Sequence, residues 1–174
     1  SLPLDSLVGK PWQVGVVSGT LNRESSIDTL KKVSTWASSF SSSLPFVAQI
    51  FPASRVGGLN HIAWSGVGVA LALRANTLSF HQPSLEWLGR VAGEMQLEKA
   101  QARAGFSPRD REVVWGFLFS SPLTLKKIQA SLQKEFDFTP GVVSFGKNIP
   151  IPPGFSSTHE NFLIERSALA ELGE

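Results

Sequence analysis

Three histidines, His61, His81 and His159, are the side chains in this 174-residue chain best suited to acid–base or metal chemistry. They are widely separated, and none has an acidic residue at metal-ligand spacing on the same predicted element, so the pattern argues against a metal centre. The chain has no cysteine, which excludes a thiol nucleophile, a cysteine-ligated zinc or iron–sulfur site and a disulfide framework within it. It has no tyrosine, so a phenolic base is excluded as well. The Walker-type glycine loop, a GxGxxG after a strand, a GxSxG elbow and an HExxH pair are all missing. Serine is so abundant that a Ser-His-Asp set could be drawn anywhere, and no weight rests on one. The most defined local pattern is instead LQKEFDFTPGVVSFGKNIP, Leu132 to Pro150. There an amphipathic helix runs into Pro140-Gly141, a short apolar segment and Gly146-Lys147.

The elements that would position these residues follow from periodicity. Val14, Val16 and Val17 in WQVGVVSG predict a strand. Ile27, Leu30, Val33, Trp36 and Phe40 recur at three- and four-residue steps and predict a helix, with Ser25 or Ser26 as its N-cap. FVAQIF, closed by Pro52, predicts a second strand. In HIAWSGVGVALALRA the alternation of Val67, Val69, Leu71 and Leu73 predicts a third, with Gly66 and Gly68 marking a bend or bulge. Residues 83–104 predict one helix, capped by Ser84, with Leu85, Leu88, Val91 and Met95 buried. Residues 111–121 are rich in β-branched and aromatic side chains and predict a strand, with a helix capped at Ser107-Pro108 as the alternative. Leu125, Ile128, Leu132 and Phe136 define a further helix. After Gly141 the chain reads as extended, and a last amphipathic helix is expected over Phe162 to Leu172.

This order predicts an α+β, ferredoxin-like β-α-β-β-α-β fold: an antiparallel sheet with helices on one face, one extra helix and an extended tail. Residues 1–150 would form a single domain, and 151–174 a Pro-rich extension with a short helix. One sheet face would stay bare. Trp36 and Trp87 would sit in the core, while Trp12, Trp64 and Trp115 would lie on strands, so any of these on the bare face needs a partner or ligand.

Composition narrows the function classes. Hydrophobic residues at 42% and charged ones at 17% describe a globular chain. The net charge of +2 is a small, scattered excess. The adjacent pairs Lys31-Lys32 and Lys126-Lys127 fall on predicted helices and read as solvated faces, so no nucleic-acid partner is expected. The longest apolar stretch, Val67 to Leu73, is too short for a transmembrane segment, and the start does not resemble a signal peptide. The lack of an initiator Met suggests a processed protein or a fragment. The missing cysteines suit a reducing compartment, cytoplasmic or an organellar matrix.

Phe136, Asp137, Gly141, Gly146 and Lys147 fit a pattern, F-D-P-x-G-x-L-N-P-G-[RK], that ends the C-terminal domain of FAD-linked oxidases of the glycolate oxidase and D-lactate dehydrogenase type. Pro140 fits with one residue inserted, and Ser144 and Phe145 replace the Asn and second Pro. HIAWSGVGVALAL, with Trp64 and Gly66 in register, and EVVWGFLFSSPLTLKKIQASLQKEFD are similar to segments of glycolate oxidase. The resemblance spans roughly Leu44 to Pro150. It implies a cap or substrate-side domain, with FAD held mainly by a separate FAD-binding domain or other oxidase subunits, and a small 2-hydroxy acid as substrate.

The resemblance also implies roles for particular residues. Arg55 and Arg74, with Trp64, would bind the substrate carboxylate, and His61 would serve as the base near the flavin. Asp137, Gly141, Gly146 and Lys147 would face the cofactor side. The competing readings are plainer: exposed strand-end arginines, a structural histidine, and a turn in which Asp137 and Pro140-Gly141 shape the chain after a helix. The alternative function is a non-enzymatic ferredoxin-like module for protein interaction or oligomerisation, using the bare sheet face and the last helix. A single-strand nucleic-acid binder would need basic residues interleaved with the strand aromatics, and the strands carry few.

Overall fold

The structure, a computed structural model, describes residues 12–23, 26, 28–41, 44–147 and 163–166, the last four as backbone only. The valine-rich run Gln13–Leu21 forms β1, and Phe46–Pro52 forms β2. Between them Thr29–Ser41 is helix α1, with Val33 and Trp36 buried. Leu30 is 48% exposed although it shares their helical stripe. Ser25 and Ile27 lie outside the described residues. Glu112–Phe119 is strand β3, not the alternative helix, and every residue from Val113 to Phe119 is buried. Leu125–Phe136 is helix α5, its N-terminus capped by Thr124, whose Oγ1 accepts from the Lys127 N–H at 3.3 Å. The four predicted core positions of α5, Leu125, Ile128, Leu132 and Phe136, are all buried.

The segment expected as a third strand is helix α2, Leu59–Ala75. Its alternation is a by-product of a helix that is apolar nearly all round, a case in which period alone does not separate strand from helix. The residues that keep some exposure reveal the true period. Asn60, Trp64, Gly68, Leu71 and Ala75 lie three or four apart along one stripe. Gly66 and Gly68 mark close packing rather than a bulge. A side chain at Gly66 would run into Trp87, and one at Gly68 into Arg90.

The helix expected over 83–104 is two helices, α3 (Pro83–Ala92) and α4 (Leu97–Ala104). Gly93 ends α3 in the left-handed region, φ 69°, with its N–H on the Arg90 carbonyl and the Glu94 N–H on the Gly89 carbonyl. Met95 falls in the break and is 72% exposed. Gln82 rather than Ser84 holds the N-cap position, with Pro83 at the first helical position.

The sheet runs β2-β3-β1-β4, where β4 is Phe138–Pro140, and each neighbouring pair is antiparallel. A fifth strand, β5 (Leu163–Arg166), pairs in parallel with Gln13–Val16 of β1. Residues 163–166 are thus part of the sheet and not of the expected terminal helix, and the boundary at residue 150 does not separate them from the domain. The rest of that helix lies outside the described residues.

The fold is α+β, as expected: β1, α1, β2, β3, α5 and β4 follow one another in β-α-β-β-α-β order with α2, α3 and α4 inserted between β2 and β3, but the expected bare sheet face does not form. Val14, Val16, Phe51, Val114 and Leu118 pack under α2, α3 and α4. Val17, Ala48, Ile50, Trp115 and Phe117 pack under α1 and α5 on the other side. Both faces are covered, giving three layers. The first face is locked by Trp87, which fits over Gly66 and Gly116 and donates its indole N–H to the Ile62 carbonyl at 3.1 Å. The second is an aromatic cluster around Trp36, edge-on to Phe46, Trp115, Phe117 and Phe136 at 5.6–6.0 Å. Trp115 is therefore core rather than exposed, and Trp36 Nε1 joins α1 to α5 through Ser131 Oγ at 3.0 Å.

Candidate functional site

The residues singled out from the sequence do not converge. Arg55 and Arg74 stand before and at the end of α2, whose 17 residues span roughly 25 Å, too far to share one small carboxylate. Arg55 Nη1 donates to the Ala102 carbonyl at 2.9 Å, and Arg74 is exposed. Trp64 lies on α2 and packs against the core beneath it. His61, in the first turn of α2, is buried, and its Nδ1 accepts the Gly57 N–H at 3.2 Å. Burial lowers its pKa below the usual 6.5, partly opposed by the Val91 backbone. The imidazole is thus buried and holds the N-terminal turn of its own helix.

The Asp137 to Lys147 stretch is likewise occupied with the fold. Asp137 ends α5 in the left-handed region at φ 48°, accepts from Asn22 Nδ2 at 3.2 Å and pairs with Arg23 at 2.9 Å. Gly141 and Ser18 form a reciprocal pair: the Gly141 N–H donates to the Ser18 carbonyl at 3.0 Å, and Ser18 Oγ donates to the Gly141 carbonyl at 2.7 Å. Gly146 N–H reaches the carbonyls of Ala53 and Val56 at 3.2 and 3.0 Å. Lys147 is exposed at the end of this run. Among the described residues no group of three or more His, Asp or Glu side chains could hold a metal ion. Nor is any of their helices long and apolar enough to cross a membrane.

A concavity lies elsewhere, along the edge of the sheet formed by β2 among the described residues. It is a groove of about 990 Å³ with α1 on one side and α3 and the end of α2 on the other. Leu30, Ala37, Phe46, Leu78, Leu85 and Phe106 supply much of its apolar wall, and serines of α1 much of its polar one. This explains the exposure of Leu30, which faces the groove rather than the core. Among the described residues the lining contains no Asp, Glu, Lys or Arg, and His81 is its one titratable side chain.

The edge itself is partly closed. Gln49 Nε2 donates to the Ser84 carbonyl at 2.9 Å, latching β2 to the start of α3, and its Oε1 accepts the Ile50 N–H at 3.0 Å. Ile50 therefore turns its amide away from β3. By the two-residue alternation of an antiparallel ladder, Phe46 and Ala48 turn theirs the same way. Pro52 continues that parity without an N–H to offer, as suits an edge strand. Trp12 lines the groove, is 3% exposed, and has an indole N–H with no acceptor among the described residues.

Sequence reasoning missed this site because it used Pro45 and Pro52 only as boundaries. The usable signal was a lone glutamine inside the apolar run FVAQIF between two prolines, the mark of an edge strand with one side chain turned to its own backbone. The chain matches no family model and no curated protein.

Proposed function

We propose that this chain is a non-enzymatic protein-association module that engages its partner through the groove on the β2 edge. The observation that supports this reading is the groove itself: large, mostly apolar and, among the described residues, without formal charge and bordered by a strand that ends the sheet. Such a surface suits a polypeptide better than an ionised metabolite, whose charge would enter it unpaired. The flavin-cap reading asked for a bare sheet face. With both faces covered, it rests on the sequence resemblance alone.

The test is selection of phage-displayed random dodecapeptides on the full chain, with Ser34→Arg/Ser38→Arg as the blocked counterpart. Both serines are exposed on α1 and line the groove, so the double variant should fold normally and lose at least tenfold in affinity for the recovered peptides. Peptides that bind both proteins equally, or no recovered peptide at all, would end the reading.

A further inference from the structure

We infer that the groove takes its partner as an added β-strand: an extended, uncharged segment of another protein, apolar at alternate residues, paired with Phe46 and Ala48 of β2. This rests on the association reading above and specifies how the site works.

Three independent features converge on it. First, β2 ends the sheet, and its outward backbone groups divide into two sets. The Gln49 side chain occupies Ile50, and Pro52 has nothing to donate. Phe46 and Ala48 remain, among the described residues, as two consecutive outward N–H and C=O pairs, enough to bond one short strand. Second, the described walls on either side carry no carboxylate, ammonium or guanidinium, so an occupant bearing charges would leave them without partners. An incoming strand would direct alternate side chains towards α1 at Leu30 and Ala37 and towards α3 at Leu85 and Leu88. Third, the buried Trp12 is one of the groove's lining residues, and its indole N–H has no acceptor among the described residues. Buried donors are rarely left so, and a peptide brings a carbonyl every residue.

The Gln49 latch fixes where pairing stops. By holding Ser84 and covering the Ile50 amide, it leaves the occupant the first half of the edge. This restricts β2 to a short contact and opposes indiscriminate edge-to-edge association.

The experiment is amide hydrogen exchange by NMR on the full chain, free and saturated with the dodecapeptides recovered above. We expect the Phe46 and Ala48 amides to exchange at least tenfold more slowly in the complex, while Val47 and Gln49, which face β3, change little. The recovered sequences should be uncharged with apolar residues at alternate positions, and Ala48→Pro, which removes one outward N–H, should weaken binding about tenfold.

If binding is lost in the Ser34→Arg/Ser38→Arg protein but the Phe46 and Ala48 amides are not protected, strand addition is overturned while the groove reading stands. If the peptides bind away from the groove, the groove reading fails. A dimer in light scattering whose Phe46 and Ala48 amides are already protected would give the edge to a second copy and overturn the assigned occupant. Binding that appears only after Leu4→Asp/Leu7→Asp would give it to the chain's own leading residues, with the same consequence.

Discussion

Along its outer side β1 receives two further strands, β4 on Gly19–Leu21 and β5 on Gln13–Val16, whereas β2 at the opposite end of the sheet receives none among the described residues. The closed edge is built for close approach. Gly19 has no side chain because an added Cβ would fall 2.2 Å from the Thr139 carbonyl oxygen, and Ser18 and Gly141 exchange two hydrogen bonds across the junction. The open edge is built for restraint: Gln49 and Pro52 remove two of its outward amides and leave two. One edge is thus consumed by the fold and the other is rationed. An edge strand that is neither paired nor fully blunted is where a partner can add without disturbing the core.

The contrast can be broken at the closed edge first. Gly19→Val forces a side chain into the β4 backbone and the Phe138 ring, and should destabilise the protein by about 3 kcal/mol, the upper part of the range for overpacking. Urea unfolding would show it as a lower midpoint at unchanged slope. Ser18→Ala removes a buried hydroxyl donor from the Gly141 carbonyl and should cost about 1 kcal/mol in the same measurement.

At the open edge Gln49→Ala should cost less than about 1 kcal/mol, because the Ile50 N–H and Ser84 carbonyl can turn to water in the groove. Its larger consequence is a longer free edge, read as concentration-dependent self-association by light scattering. Leu30→Lys should change stability by no more than about 0.5 kcal/mol, since the side chain is nearly half exposed, while weakening any groove ligand. A large stability loss there would mean that Leu30 belongs to the core and that the groove is not a free surface.

His61 gives a pH handle on the turn to which the segment after β4 is fastened. Its pKa is lowered in the folded state by burial. Above pH 6.5 both folded and unfolded chains carry a neutral ring, and stability is full. As the pH falls below 6.5 the unfolded chain takes up a proton that the folded chain resists, so stability declines until the pH passes below the folded value. Unfolding midpoints taken between pH 8 and pH 5 should fall more steeply for the native chain than for His61→Gln.

How much of this could be read beforehand differs by element. β1, β2, β3 and α5 announce themselves because each has one dominant period or an unbroken β-branched and aromatic run. β3 even carried the sign of a sheet covered on both faces, since Val113 to Phe119 has no polar residue for a solvated side. α2 was misread because a helix apolar on almost every side erases the amphipathic period that would identify it. β4 and β5 are too short to show a pattern, and their pairing depends on the Gly19 gap and on β1 lying ready. Arg55, Arg74 and His61 were plausible by residue type, but type does not supply proximity, and α2 keeps the two arginines apart.

What the linear chain determined alone was composition and local preference: a globular balance, the absence of thiol and phenol chemistry, the glycine and proline stops, and the apolar faces of its regular elements. These follow from side-chain chemistry and from contacts within a few residues. Only the tertiary structure decided that both sheet faces are covered, that Trp87 needs Gly66 and Gly116 together, and that β2 is left at an edge beside an uncharged groove. Each of those depends on which distant segments meet. Packing and strand order settle that over the whole chain, and no single stretch records it.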